Sequence, residues 1–130
     1  MAAYVDASAA VKLVIEEDAS AALGLWLAQS TPRLVTSDLT RTELTRAVRR
    51  IDTAALPLVA GVLERIDIVR VTSNDFEKAA EQSPPELRSL DALHLASALD
   101  LADDVDSMLT YDHRLGDAAE ALGLTVIAPS

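Results

Sequence analysis

A three-layer α/β/α sandwich around a mostly parallel central sheet is the fold class this sequence predicts. Three observations carry the prediction. Short apolar runs that read as strands alternate with longer segments of helical periodicity, the pattern of a parallel sheet covered on both faces. Half of the 130 residues are apolar while aromatics make up only 3%, so Ala, Leu and Val must build the core. Such a core suits closely packed helices better than a sandwich of aromatic-rich strands. Residues 89–115 open with a helix that is apolar on nearly all sides (Leu90, Leu93, Leu95, Ala96, Ala98, Leu99, Leu101 and Ala102), and a helix without a clean polar face is a buried one. At this length a single domain, residues 1–130, is expected.

Taken in order, residues 2–6 (AAYVD) read as a strand, and residues 8–15 and 18–29 as two helices joined by Glu16-Glu17-Asp18. Pro32 ends that region, and residues 33–37 (RLVTS) form a second strand. Residues 40–51 read as a helix because Leu44, Val48 and Ile51 recur at i, i+4 and i+7. Residues 54–65 continue helical, with Pro57 tolerated if it lies in the first turn. Residues 67–71 (DIVRV) alternate as a third strand, and residues 74–82 form a short amphipathic helix capped by Ser73 or Asn74. Ser83-Pro84-Pro85 breaks it. After the buried helix come a strand at 107–111, a helix at 113–122 stopped by Gly123, and a last strand at 125–128.

Composition excludes several classes of protein. With no cysteine, neither a disulfide framework nor a thiolate metal site is possible. The N-terminal MAAYVDASAA lacks a basic segment followed by an apolar run, so it does not read as a secretory signal. No stretch approaches the roughly 20 apolar residues of a membrane span, so no membrane association is expected and a cytoplasmic location is. The net charge of −10 argues against a general nucleic-acid-binding surface. A polyanionic substrate would need cations recruited locally, as bound metal, an arginine patch, or both.

Four acids stand out. In an open parallel sheet, ligands bind beyond the carboxyl ends of the strands, where Asp6 closes the first strand and Asp112 the fourth. Glu43 and Asp91 sit at the starts of helices that would pack beside them. Asp91 also lines up with Leu95 and Ala98 at i+4 and i+7, and a carboxylate along an apolar stripe is costly without a partner. Each acid has a purely structural reading too. Asp6 and Asp112 are candidate N-caps, Thr40 and Glu43 have capping-box spacing, and Asp91 suits the dipole of a first helical turn. Together they offer the all-oxygen donor set that Mg2+ or Mn2+ prefers. A cation so held can activate water for an in-line phosphodiester displacement.

These residues resemble a known family. YVDASAAVKL with Asp6, TRTELTRAVRR with Glu43, LDALHLASAL with Asp91 and LTYDHRLGDAAEALGLTVIAP with Asp112 are similar to the PIN domain. More narrowly, they are similar to the VapC-type ribonuclease toxins of toxin–antitoxin pairs. The resemblance spans residues 4–129 and is least distinctive over 52–87. It implies an α/β/α sandwich, an acidic Mg2+ or Mn2+ site, endonucleolytic cleavage of RNA, a homodimer, and inhibition by a cognate antitoxin laid over the site. It assigns Asp6, Glu43, Asp91 and Asp112 to the metal site, with Ser8 and Thr110 as supporting hydroxyls. Asp117 is a candidate for a further acid behind the ligands, against the simpler reading of an exposed helix residue.

Arg41, Arg46, Arg49 and Arg50 crowd the Glu43 helix and hold four of the eleven basic residues. They read either as a solvated face with cations near a helix C-terminus or, for Arg46, Arg49 and Arg50, as contacts to RNA or antitoxin. Arg50 shares the Glu43 face at i+7. His94, three residues past Asp91, reads as a hydrogen-bonded core histidine rather than a ligand, and the direction of His113 is open. Trp26, among Leu23, Leu25 and Leu27, reads as core or dimer surface rather than a base-stacking platform. A phosphoryl-accepting receiver domain is disfavoured, because Val71-Thr72 offers no strand-end Asp and Tyr111-Asp112-His113 no Lys. A phosphatase of the Asp-x-Asp type fails at Ser8. The remaining alternative is a catalytically inactive PIN module acting through protein binding.

Overall fold

The computed structural model describes residues 1–130. Strands β1 (Ala2–Val5), β2 (Arg33–Ser37), β3 (Asp67–Val69), β4 (Ser107–Leu109) and β5 (Thr125–Ile127) form one sheet in the order β3-β2-β1-β4-β5. Every neighbouring pair is parallel, with Tyr4 opposite both Val35 and Met108. A parallel pair needs a long crossover, which the helices provide: α1 (Ala7–Val14), α2 (Ser20–Ser30), α3 (Asp38–Ile51), α4 (Val59–Glu64), α5 (Ser73–Ala80), α6 (Ser89–Asp100) and α7 (His113–Ala121).

Alternation along the strands divides the interior into two cores. Val5 and Leu109 face one side, where they pack with Ala9, Val11, Leu44, Val48 and Val62 of α1, α3 and α4. Ala2, Tyr4 and Met108 face the other, against Leu95 and Ala98 of α6 and Leu115 and Ala119 of α7. This is the α/β/α sandwich expected from the sequence. The seven residues from Ala92 to Ala98 of α6 are all buried, as its all-round apolarity predicts. Leu90, in its first turn, is instead 48% exposed. No helix is long and apolar enough to cross a membrane.

The order of the strands positions the site. From β1 the chain moves outward through β2 to β3, then returns to lay β4 on the other side of β1. The carboxyl ends of β1 and β4 therefore flank the point where the winding reverses, the crevice at which such sheets bind ligands.

Several boundaries differ from the sequence reading, each for a local reason. Helix α3 starts at Asp38, with Ser37 in the N-cap position. Thr40 thus lies inside the helix, buried, with its Oγ1 accepting from Thr36 Oγ1 at 2.7 Å. The Thr40–Glu43 capping box does not form. Helix α5 is capped by Thr72, not Ser73 or Asn74, in a capping box closed by Asp75. The expected helix at 54–65 is divided into a 3-10 stretch, Thr53–Leu58, and α4. Pro57 lies within that stretch, and its missing N–H removes a rung that a continuous α-helix would need. Helix α7 ends where expected, with Gly123 in the left-handed region at φ 92°.

Candidate active site

Asp6 follows β1 directly and is the N-cap of α1. Its Oδ1 accepts from Ser8 Oγ at 2.7 Å and from the Ala9 N–H at 3.2 Å, and its Oδ2 accepts from Thr110 Oγ1 at 2.8 Å. Ser8 and Thr110 each give their single hydroxyl proton to Asp6, so their mutual approach at 3.3 Å is a contact rather than a hydrogen bond. The Ser8 oxygen accepts the Tyr111 N–H at 2.9 Å and the Thr110 oxygen accepts the Asp112 N–H at 3.1 Å. The segment after β4 is thereby tied to the start of α1. Asp6 is only 5% exposed, and burial pushes its carboxyl pKa up against the lowering effect of these hydrogen bonds.

Asp112 is the N-cap of α7, and its Oδ1 accepts the N–H groups of Arg114 at 2.9 Å and Leu115 at 3.1 Å. The capping reading therefore holds for Asp6 and Asp112, and it does not conflict with a second role. Each carboxylate oxygen has two lone pairs, and Asp112 Oδ2 accepts no hydrogen bond.

Glu43 reaches the same place from α3, where its Oε1 contacts His94 Nε2. His94 is buried and its Nδ1 lies 2.7 Å from the Tyr4 hydroxyl. The expectation of a hydrogen-bonded core histidine holds, and one of its bonds goes to a cleft acid.

Asp91 is the exception. It lies in the first turn of α6, half-buried, and its carboxylate receives no hydrogen bond from another group. Burial raises its pKa most, and the charge of Asp112 next; Asp6 and Glu43 add to this, while His94 opposes. The three other acids all act on this one carboxyl.

Asp6, Glu43, Asp91 and Asp112 line a single cavity of about 350 Å3, together with Ser8, His94 and Arg88. No group of three or more His, Asp or Glu side chains is close enough to hold an ion in common. Mg2+ commonly keeps several waters and uses only one or two carboxylates, so the hard, all-oxygen donor set still fits a hydrated divalent cation.

Asp117 does not join the other acids. It is exposed on α7 and lines a separate cavity with Leu87 and Arg114, because five residues of helix carry it away from Asp112. His113 is exposed and does not line the acid cavity. Arg46 and Arg50 line a furrow of about 480 Å3 that shares Ala7, Ser8, Glu43 and Leu90 with the acid cavity. Arg49 borders a depression beyond them, and none of the three arginines forms an ion pair. Arg88, the cation at the mouth of the acid cavity, escaped the sequence reading. Its signal was its place three residues before Asp91, as the residue that precedes α6.

The model of the PIN domain matches residues 3–121. The chain belongs to the PIN-domain family. Ribonuclease VapC35 of Mycobacterium tuberculosis is 44% identical over 129 residues, covering 97% of this chain and 96% of the relative. That similarity places the chain in the VapC group of PIN domains. The crystal structure of Mycobacterium tuberculosis VapC20, described as a toxin that cleaves the sarcin–ricin loop, has a TM-score of 0.78. It is 18% identical and covers 99% of this chain and 100% of that one. A toxin–antitoxin complex from Klebsiella pneumoniae has a TM-score of 0.73 at 18% identity, with 98% of each chain covered. These two structures match the PIN fold throughout its length.

Proposed function

We propose that the protein is an endoribonuclease toxin of the VapC kind that depends on Mg2+ or Mn2+ and is neutralised by a cognate antitoxin. The observation that carries this reading is Asp91. Its carboxylate faces three other acids with no hydrogen bond of its own, an arrangement that disfavours an isolated fold and suits a site for positive charge. Membership of the VapC group and the ribonuclease name of a relative that matches almost the whole chain support the RNA substrate.

Asp91 and Asp112 have oxygens free of hydrogen bonds and would hold the ion, with Asp6 behind them. When bound, Mg2+ or Mn2+ supplies charge stabilisation for an in-line phosphodiester displacement and acidifies water. Ser8 and Thr110 keep Asp6 in one orientation through both of its oxygens. Glu43, tethered by His94, is the acid left to orient a water or take its proton. Arg46, Arg49 and Arg50 would grip RNA phosphates along the furrow that leads away from the acids. Local recruitment of this kind reconciles an anionic substrate with a chain of net charge −10.

The same furrow suits a cognate antitoxin segment, and the toxin–antitoxin complex among the similar folds supports such a partner. A basic segment would meet the acids, and an apolar one would cover Val11, Ala47 and Leu90. Pairing with a second copy of the chain belongs to the same reading.

Purified protein incubated with RNA tests the metal mechanism. Cleavage is expected in Mg2+ or Mn2+ and not in excess EDTA. Equal cleavage in EDTA, with contaminating nuclease excluded by a second purification, overturns the metal dependence.

A further inference from the structure

Each of the three segments that carry Asp6, Glu43 and Asp91 also carries a buried polar residue. Strand β1 carries Tyr4 two residues before Asp6. The start of α3 carries Ser37 six residues before Glu43, and α6 carries His94 three residues after Asp91. These residues are joined. Tyr4 Oη donates to Ser37 Oγ at 2.9 Å, lies 2.7 Å from His94 Nδ1, and the far ring nitrogen of His94 meets Glu43 Oε1. The rings of Tyr4 and His94 also pack edge to face, with centroids 5.7 Å apart and planes at 72°.

The chain of contacts closes on itself. Ser37 is the residue before α3, and Glu43 lies on α3 about 9 Å further along the axis. A covalent helix and a side-chain bridge of three contacts through Tyr4 and His94 thus connect the same two points. Helix α3 cannot slide or turn against β1 and α6 without breaking that bridge. Tyr4, Ser37 and His94 are all buried, at 0%, 0% and 1% exposure, so water does not compete for the bonds.

Counting protons sets the direction. The single Tyr4 hydroxyl proton goes to Ser37, so the Tyr4 oxygen accepts from His94 Nδ1–H. At the other side of the ring, His94 Nε2 meets Glu43 Oε1. The Glu43 carboxylate has no other hydrogen-bond partner, so its second oxygen stays available to the cleft.

We infer that Tyr4 and His94 are positioning residues, a buried relay that fixes Glu43 by one oxygen and presents the other to the reaction cleft. The functional part of this inference rests on the proposed nuclease site, whereas the relay itself is a property of the metal-free chain. Partners that orient site groups from behind typically change activity by roughly 10–100-fold when removed.

Two measurements decide it. With only two histidines in the chain, a His113→Gln background leaves His94 as the sole imidazole in a 15N spectrum of metal-free protein. Glu43→Gln is expected to move the His94 Nε2 resonance, and Tyr4→Phe the Nδ1 resonance. In RNA cleavage, His94→Asn keeps a polar atom near Nδ1 and loses the one at Nε2, whereas His94→Gln does the converse. The inference predicts a kcat lowered roughly 10–100-fold in His94→Asn with KM unchanged, and partial recovery in His94→Gln, which keeps the Glu43 contact and loses the Tyr4 one. A purely structural histidine would instead show kcat following thermal stability, without selective rescue by Gln. An Nε2 resonance indifferent to Glu43→Gln overturns the relay even if the enzyme is a nuclease. Wild-type protein that cleaves no RNA overturns the nuclease reading, and the resonances then still decide whether the relay exists.

Discussion

On the strand-end wall of the cleft, Asp6 and Asp112 accept five hydrogen bonds between them, from Ser8, Ala9, Thr110, Arg114 and Leu115. On the helical wall, Glu43 has one partner in His94 and Asp91 has none. The two walls hold the same chemical group under opposite conditions. At the strand ends each acid is also a helix cap, so folding alone is enough to favour the side chain. On α6 the acid gains little beyond the helix dipole, while three like charges and partial burial oppose it. A carboxylate that the fold does not need is the stronger functional signal of the two. Substitutions that remove one acid at a time should therefore separate the walls by the sign of their effect on stability.

The largest effect is expected at Asp6. Asp6→Ala removes the α1 cap and strands the protons of Ser8, Thr110 and Ala9, although the two hydroxyls can partly re-pair across 3.3 Å. Relief of the buried charge offsets part of this, and a net loss of about 2 kcal/mol is expected in chemical denaturation. A stabilised Asp6→Ala would erase the difference between the walls. Asp112→Ala should cost about 1 kcal/mol, the usual worth of an N-cap that accepts backbone N–H groups.

Asp91→Asn should go the other way and stabilise at neutral pH. The folded state raises the Asp91 pKa above its ordinary value of 3.8, so the folded protein binds that proton more tightly than the unfolded chain does. The ionised form therefore weighs against folding at every pH above the raised pKa, and the penalty fades as pH falls towards 3.8. Because Asp91 is half-buried and water screens its neighbours, the gain in Asp91→Asn is at most about 1 kcal/mol at pH 7. Thermal melts of wild type and variant across the acid range should converge at the low end. A constant gap would assign the gain to something other than charge.

This asymmetry also explains how far the sequence could be read. The five strands, the buried helix and the placement of the acids followed from periodicity, because apolar patterning and strand ends are local properties. The helix starts at Asp38 and Ser73 were displaced by a residue or two, since neighbouring Ser, Thr and Asp residues offer almost equivalent caps. The 3-10 stretch around Pro57 was missed for a similar reason: helical periodicity is nearly the same in both helix types over one turn. The gathering of the four acids in one cavity followed from strand-end logic together with the family resemblance. The relay through Tyr4 and His94 was beyond reach, because it joins residues 90 positions apart through a ring whose partners depend on how α6 packs on β1. For Asp117 the simpler reading of an exposed helix residue holds, because helix direction carries it to another cavity.

The central claim is that an acid the fold does not need is kept for cutting RNA, and Asp91→Asn tests it most directly. Wild type and variant, from matched preparations with melts recorded on each, are incubated with the same RNA in Mg2+ and in Mn2+. The account predicts a variant that is folded, at least as stable as wild type at neutral pH, and without cleavage in either metal. An Asp91→Asn protein that cleaves at the wild-type rate would contradict it.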